Sequence, residues 1–321
     1  MEPFFRFMSA LFARKILSSA LVVGTLLITG FIASPFHFPR GTVLTVPEGT
    51  TVQEVGDLLE EENIIRSSLF FVSLVRLFGG ERGVASGVYS FERPLSVFYA
   101  AYRLNRGETG LPFVKVTIPE GATVRTMALT LNDQLPGFNS EKFLELAKPF
   151  EGLLFPETYV FTPGVSPETV IQAMRDEFEK NIASLQGDID AFGKPLLDVV
   201  IMASLLEKEA RLYETKQTVA GILWKRIALD MPLQVDAVFG YILNTDTFSP
   251  TFDQLDIDSP YNTYLNRGLP PGPIASPGLD SLRAAVNIIE TPYLFYLTGK
   301  DGTMHYAKTF DEHVANRRFL R

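Results

Sequence analysis

The chain has 321 residues, no cysteine and only three histidines, His37, His305 and His313. Without thiols it can form neither a disulfide nor a thiolate metal site. The spacing of the histidines has no resemblance to an HExxH-type motif, which argues against a zinc hydrolase. We therefore expect no metal site, and we expect His305 and His313 to be structural residues.

Positive charge is also scarce in this chain. Lysine and arginine number 29 against 37 aspartates and glutamates, so the net charge is −8 at pH 7. A protein whose main partner is a nucleic acid needs a positive surface for the phosphates, and we exclude that partner. Hydrophobic residues, in contrast, make up 46% of the chain. A chain of this length and composition can bury a sizeable core and is expected to form two or three domains.

One long apolar run lies near the N-terminus. Ile16–Ala33 is eighteen residues without a charge, which is about the minimum for spanning a bilayer. Basic residues precede the run, and none follows it until Arg40. By the positive-inside rule, we predict a cytoplasmic tail at residues 1–15 and a transmembrane helix at residues 16–34.

This orientation places the rest of the chain on the periplasmic (extracytoplasmic) side of the inner (cytoplasmic) membrane, as a single-pass protein. The alternative is a cleavable signal peptide, because Ile32-Ala-Ser34 offers small residues for cleavage. The apolar run is longer than the usual core of a signal peptide, which favours the retained anchor. Both alternatives export everything that follows.

A short internal repeat follows the predicted anchor. Thr45-Val-Pro-Glu-Gly-Thr-Thr-Val52 returns as Thr117-Ile-Pro-Glu-Gly-Ala-Thr-Val124. In each copy a β-rich stretch leads into Pro-Glu-Gly, a turn signal, and a threonine stands where it can cap the next helix. The hydrophobic pattern predicts these helices over Val52–Glu61 and Val124–Leu135.

These patterns predict an α+β protein. We expect a small α+β lobe at residues 35–110, a second one at 111–150, and a mixed α+β C-terminal domain at 151–321, with a cleft between the lobes and that domain. The first lobe has the proportions of a LysM-like module, and that resemblance implies binding of N-acetylglucosamine polymers. The alternative is that it serves only for packing and spacing.

Glu207 is the strongest candidate for a catalytic residue. It lies in an apolar helical run, Leu196–Ala210, where burial is expected to raise the pKa of a carboxyl group and so prepare a general acid. Small residues share its helix face. Glu209 lies about 200° further round the helix and cannot serve the same site. The alternative is that Glu207, Lys208 and Glu209 belong to a solvated charged cluster.

Six motifs occur in the same order as in a known family. They are Glu151-Gly-Leu-Leu-Phe-Pro-Glu-Thr-Tyr159, Ala203-Ser-Leu-Leu-Glu-Lys-Glu-Ala210, Leu233-Gln-Val-Asp236, Tyr261-Asn-Thr-Tyr264, Gly268-Leu-Pro-Pro-Gly-Pro-Ile-Ala-Ser-Pro-Gly278 and Thr309-Phe-Asp-Glu-His313. These motifs resemble those of the endolytic murein transglycosylases of the MltG (YceG-like) family, and the resemblance covers nearly the whole chain after the predicted anchor.

The resemblance implies a lytic transglycosylase in which Glu207 is the single general acid and base. Such an enzyme cleaves the β-1,4 bond between N-acetylmuramic acid and N-acetylglucosamine in nascent peptidoglycan strands. The C6 hydroxyl of the sugar attacks, which leaves 1,6-anhydro-N-acetylmuramic acid ends without a metal or an organic cofactor. The family also implies partners in cell-wall synthesis, namely a membrane-bound glycan polymerase or a penicillin-binding protein.

Five further residues are candidates for substrate binding. Tyrosines suit a sugar platform, because the ring offers an apolar face and a polar tip. If Leu233–Asp236 is extended, alternation directs Gln234 and Asp236 to the same side. Each candidate could instead have a structural role, in a cap, a turn or the core. The candidates are Gln234, Asp236, Tyr261, Asn262 and Tyr264.

The chain departs from the family around residue 237, where the family often has a proline and this chain has Ala237. That places doubt on substrate contacts around residues 234–238. Two other functions stay open. One is a non-catalytic glycan-binding scaffold of cell-wall synthesis. The other is a hydrolytic muramidase, which needs a second acid facing Glu207, and Asp236 is the candidate that the sequence offers.

Overall fold

The computed structural model describes residues 30, 32–47, 49–79, 83–245 and 250–320. The predicted cytoplasmic tail and nearly all of the predicted transmembrane helix lie outside these residues. Within the described ranges, no helix combines the length and the apolar character that crossing a bilayer requires.

The described chain is mixed α+β, rich in helices, with three two-stranded sheets. Its described residues form two compact units. One contains those up to Val114 together with residues 162–166, and the other contains those of residues 115–161 and from Pro167 onward. Residues 115–150 group with the residues that follow them. The division into lobes at residues 35–110 and 111–150 stays a prediction.

The first unit contains two antiparallel strands and three helices among its described residues. Leu44 pairs with Tyr89 in the sheet, and both side chains are buried in the core of the unit. Thr51 caps the first helix through a capping box with Glu54. The elements are β1 (Thr42–Val46), α1 (Val52–Glu61), α2 (Ser68–Gly79), β2 (Gly87–Phe91) and α3 (Val97–Arg106).

The second unit contains the other two sheets and the remaining helices. Strand β3 pairs with β4, and β5 pairs antiparallel with β6. The elements are β3 (Val114–Thr117), α4 (Val124–Gln134), α5 (Ser140–Ala147), β4 (Thr158–Phe161), α6 (Pro167–Phe192), α7 (Leu196–Glu209), α8 (Tyr213–Ala228), α9 (Val238–Leu243), α10 (Leu279–Val286), β5 (Phe295–Thr298), β6 (Met304–Ala307) and α11 (Phe310–Asn316).

Several predicted elements are confirmed within a few residues. Helix α4 begins after Thr123, whose side chain accepts a hydrogen bond from the Thr126 amide at 3.1 Å, as the repeat predicted. Helix α6 continues through Gly187 because its apolar stripe includes the buried Leu185 and Ile189, and the helix ends only before Gly193, whose φ is +74°.

Helix α7 lies at the centre of the second unit. Its residues from Val199 to Leu206 are all buried, on every side of the helix. Helices α8 and α10 both pack against it. A helix that is apolar all round is stable only inside a protein core. Glu207 is therefore the first polar side chain in the sequence after the buried part of α7, close to the C-terminal end of this central helix.

Candidate active site

The Glu207 carboxylate is held by donors from two other helices. Its Oε1 atom accepts from Lys216 Nζ at 3.1 Å. Its Oε2 atom accepts from the Gly278 amide at 3.0 Å and from Ser281 Oγ at 2.6 Å. Only 9% of the Glu207 side chain is exposed, and only 4% of Lys216. This is an enclosed ion pair, and it excludes the alternative of a solvated charged cluster for Glu207.

The start of α10 explains two of these contacts. Gly278 is the N-cap residue of α10 and has no side chain with which to cap the helix. The carboxylate of Glu207, which comes from α7, takes the place of a capping side chain. The positive end of the helix dipole and the unpaired amides of the first turn favour an anion at this point. Ser281, in the same first turn, completes the pocket around Oε2.

A second carboxyl group lies beside Glu207. Glu120, in the second Pro-Glu-Gly turn, packs over Gly278 so closely that a methyl group at Gly278 would overlap its carboxylate. In the same turn, a Cβ atom at Gly121 would lie 3.6 Å from Glu207 Cγ. The turn is held there by Ser276, which accepts from the Gly121 amide at 2.8 Å and donates to the Ala122 carbonyl at 2.9 Å.

The electrostatics of Glu120 reflect this neighbourhood. Partial burial raises its pKa, the charge of Glu207 raises it further, and Lys216 opposes both effects. Glu120 does not stand out in the sequence, because Pro-Glu-Gly there predicts only a turn. The signal in the sequence was the repeat itself, which places a glutamate before each of the two predicted helices. Glu207, which the second of these turns approaches, is however far away in the sequence.

A groove with a volume of about 670 Å³ runs past this turn. Residues of the predicted second lobe and of the predicted C-terminal domain line it together. Glu120, Gly121 and Lys208 line the groove next to Glu207, and Arg125 and Lys148 add positive charge. Tyr241 contributes an aromatic surface. The groove therefore offers basic, acidic and aromatic groups to a large polar ligand.

Another carboxyl group with a shifted pKa lines the same groove. Burial raises the pKa of Glu151 to about 7, although a hydrogen bond from the Val124 amide at 3.0 Å opposes the shift. This bond places Glu151 at the N-terminus of α4. A carboxyl group that changes charge near neutral pH inside a groove is a candidate for a functional residue. In the sequence, Glu151 stands out only as the first residue of a family motif.

Gln234 and Asp236 do not follow the predicted alternation. Gln234 has a φ of +52°, so Leu233–Asp236 is not a regular extended segment, and the Gln234 side chain is exposed. Asp236 accepts a hydrogen bond from the Tyr264 hydroxyl at 2.5 Å. Burial raises the pKa of Asp236. These two candidates therefore lie in different environments.

Asp236 and Tyr264 form part of a second polar cluster, which also includes Glu209. Burial raises the pKa of Glu209 to about 7, while hydrogen bonds from Tyr296 and from the Ala237 amide lower it. Glu209 thus has partners different from those of Glu207, as the helix geometry predicted. Asp236 belongs to the surroundings of Glu209, and the acid beside Glu207 is Glu120.

The remaining two candidates, Asn262 and Tyr261, lie in the loop before the proline-rich segment. Asn262 is fully buried, and its amide group donates to the Leu255 and Ile257 carbonyls, both at 2.9 Å. In this structure Asn262 stabilises the loop. The Tyr261 ring packs against that of Tyr241 at an interplanar angle of 47°, with ring centroids 4.9 Å apart, so it supports a side chain that lines the groove.

The histidines of the C-terminal region lie on other elements. His305, on β6, stacks on Phe319 at 3.7 Å between ring centroids, and His313, on α11, stacks on Phe295 at 5.4 Å. Burial lowers the pKa of His313. Among the residues that the structure describes, no three carboxylate or histidine side chains converge as metal ligands.

Comparison with known proteins gives consistent matches. A sequence model described as the YceG-like family matches residues 44–318. An endolytic murein transglycosylase of Bacillus subtilis strain 168 is 29% identical over 297 residues, which cover 84% of this chain and 82% of that protein. A protein of the same name from Streptococcus pneumoniae serotype 2 strain D39 is 28% identical over 314 residues, covering 84% of this chain but 57% of the pneumococcal protein.

A solved structure is similar as well. The crystal structure of a yceG-like protein from Listeria monocytogenes matches with a TM-score of 0.59 and 27% sequence identity, and the match covers 86% of this chain and 99% of that one. The region matched by the family model includes the Pro-Glu-Gly turn, the central helix α7 and the start of α10. This chain belongs to the YceG-like family.

Proposed function

We propose that this protein is a lytic transglycosylase that cleaves the bond between N-acetylmuramic acid and N-acetylglucosamine within peptidoglycan strands. The observation that carries the proposal is the enclosed Glu207 carboxyl group, held at the start of α10 beside a groove large enough for a glycan. The relatives named endolytic murein transglycosylase support the same activity.

In the first step, protonated Glu207 donates its proton to the glycosidic oxygen, and the bond from that oxygen to the anomeric carbon breaks. This step leaves a carboxylate on Glu207. Lys216, the Gly278 amide and Ser281 are arranged to stabilise that carboxylate. Donors that are already in place where charge develops lower the barrier more than donors that must reorganise. The serine hydroxyl can rotate, so it can accept from the protonated acid and donate to the carboxylate.

In the second step, the C6 hydroxyl of the same N-acetylmuramic acid attacks its anomeric carbon. The hydroxyl proton passes to the Glu207 carboxylate, which restores the acid, and the 1,6-anhydro ring closes. Water takes no part and no second carboxylate is needed as a nucleophile, in contrast to a glycoside hydrolase. A single carboxyl group can therefore complete the cycle without a cofactor.

The groove beside the Pro-Glu-Gly turn is the proposed binding site for the glycan. Tyr241 and its neighbour Tyr261 supply aromatic surface for sugar rings. Direct sugar contacts by Gln234, Asp236, Asn262 and Tyr264 stay predictions. We further propose that residues 16–34 anchor the protein in the cytoplasmic membrane, where nascent strands emerge, and that a glycan polymerase or penicillin-binding protein acts beside it.

The test is mass spectrometry of the products from isolated peptidoglycan. Wild-type protein is expected to release fragments that end in 1,6-anhydro-N-acetylmuramic acid. Glu207→Gln is expected to lower the rate by at least about 100-fold, because the general acid is lost. Glu209→Gln is the matched control, since it changes the same side chain on the same helix but in a different cluster.

Other products would point to the other functions. Reducing ends in place of anhydro ends would mean hydrolysis, and the proximity of Glu120 to Glu207 supplies a second acid for that reaction. Binding of glycan without cleavage by the wild-type protein would favour the scaffold. Equal loss of activity in Glu207→Gln and Glu209→Gln would contradict the specific role of Glu207.

A further inference from the structure

Glu120 is an exposed acidic residue beside the enclosed Glu207. The charge of Glu207 disfavours a second negative charge at this position. The Glu120 carboxylate covers Gly278, the residue whose amide binds Glu207, and it lines the groove. No hydrogen bond or salt bridge within the described chain holds the Glu120 carboxylate there. Two carboxylates at one site repel each other, so their proximity lowers the stability of the folded protein. A feature that lowers stability in this way points to a role in function.

A purely structural role does not account for Glu120. Backbone hydrogen bonds to Ser276 hold the turn in position, and they do not involve the Glu120 side chain. The bare Cα of Gly278 leaves the space that the carboxylate occupies. A neutral or cationic side chain at position 120 would keep those backbone bonds and remove the repulsion. The feature that remains to be explained is the negative charge.

We propose that Glu120 is a positioning residue for the transglycosylase reaction, whose carboxylate, packed over Gly278 beside Glu207, opposes ionisation of the catalytic acid before the first step. This inference rests on the proposed function of Glu207 as a general acid. The three donors around Glu207 are placed to bind a carboxylate, which suits the end of the first step and not its beginning. A neighbouring negative charge opposes ionisation before the reaction starts.

The balance involves every charged group that faces the pair. Lys208 accompanies Glu207 on α7 and lies near the Pro-Glu-Gly turn. Lys216 on α8 lowers the pKa of Glu120, whereas Asp280 on α10 raises it. Burial and the charge of Glu207 are the larger effects and both raise it. Lys216 is thus the cation that opposes the raised pKa of Glu120.

The first measurement is the pH dependence of kcat and KM on soluble glycan strands, for wild-type protein and Glu120→Gln. In Glu120→Gln, the catalytic acid Glu207 is expected to lose its proton at a lower pH. The alkaline limb of the kcat profile should therefore move to lower pH by about half to one unit. Near neutral pH, kcat should then fall about threefold to tenfold, with KM changed by less than about twofold.

Two control variants separate charge from packing. Glu120→Asp keeps the charge and should keep the alkaline limb within about 0.3 pH unit of wild type. Glu290→Gln removes one negative charge from an exposed position of the same unit and should leave the profile unchanged. A shift of the same size in Glu290→Gln would mean that net charge, and not the local pair, is responsible.

The second measurement does not depend on catalysis. Carbon-13 NMR of protein labelled at the glutamate carboxyl carbons can follow both groups, with Glu207→Gln and Glu120→Gln assigning the resonances. Removal of Glu120 should move the titration midpoint of Glu207 to lower pH. An unchanged midpoint would overturn the inference even in an active enzyme. A moved midpoint in a protein without anhydro products would support the pair and reject the proposed function.

Discussion

At the scale of residues, the site consists of charges that are largely withdrawn from water. The Glu207–Lys216 pair is enclosed, and backbone and hydroxyl donors complete the binding of the carboxylate. Removing one partner of such a pair costs about 3–5 kcal/mol, because the other charge is left buried without compensation. Substitution of Lys216 or of Glu207 therefore changes stability as well as chemistry, so the free energy of unfolding of Glu207→Gln has to be measured beside its activity.

The carboxyl group of Glu151 predicts how stability depends on pH. Its pKa is raised from 4.5 to about 7 in the folded protein. Between these values the folded state binds more protons than the unfolded state, so the free energy of unfolding falls as the pH rises. Glu151→Gln is expected to remove part of that fall, with an upper bound of about 3 kcal/mol.

Urea denaturation at several pH values between about 4.5 and 8 measures this effect. The fluorescence of Trp224, the only tryptophan in the chain, reports on the second unit, to which Glu151 also belongs. Glu290→Gln, at an exposed position, is the control and should follow the wild-type curve. If Glu151→Gln kept the full pH dependence, its carboxyl group would not be the source.

At the scale of elements, the site depends on how closely α7, α8 and α10 approach one another. Ser204 on α7 donates to the Ile201 carbonyl and accepts from the Ile274 amide, which ties the proline-rich segment to the central helix. Trp224 on α8 donates to the Ala285 carbonyl on α10 at 3.0 Å. These contacts fix the start of α10 at the end of α7, and so they bring Gly278 to Glu207.

Two helical glycines give opposite predictions. Gly221→Ala on α8 would place a methyl group on the Ile289 carbonyl oxygen and is expected to lower the free energy of unfolding by about 1–3 kcal/mol. Gly187→Ala on α6 meets no atom within 4 Å and should raise it by about 0.5–1 kcal/mol. Thermal and urea unfolding of both variants tests the pair. A Gly221→Ala variant that is no less stable than wild type would contradict the close approach of α8 to residue 289.

At the scale of the whole molecule, the chain passes repeatedly between its two units. Residues 162–166 belong to the first unit although residues on both sides of them belong to the second. Within the first unit, a methyl group at Gly164 would come 2.6 Å from Val88 Cγ2, so this short segment packs tightly there. The two units are therefore joined by three chain connections instead of a single linker.

The proposed anchor predicts a separation between activity in solution and activity in cells. Protein that begins at residue 36 is expected to cleave isolated peptidoglycan like the full chain, because the groove and Glu207 lie in the second unit. When it is exported without an anchor, it should fail to restore the function of the full chain in cells. An unrelated single-pass helix in place of residues 16–34 is the control and should restore that function. Full cellular activity without any anchor would contradict the prediction.

The sequence determined the features whose causes are local. The capping threonines Thr51 and Thr123, the helices that follow them and the apolar run around Glu207 depend on neighbours within a few residues, and the structure confirms them. Helix geometry likewise separated Glu207 from Glu209, because side-chain direction follows from position along the helix. The family motifs singled out the same helix and the segment that ends at Gly278.

Tertiary structure decided which distant groups meet. Glu120 and Lys216 lie beside Glu207 only because the turn before α4 and helix α8 pack against the same end of α7. Local patterns carry no information about that encounter. The same reason explains Asp236, which the sequence offered as the second acid but which lies in the cluster of Tyr264 and Glu209. A carboxylate acquires its chemistry from neighbours that are near in space, and those are supplied by packing.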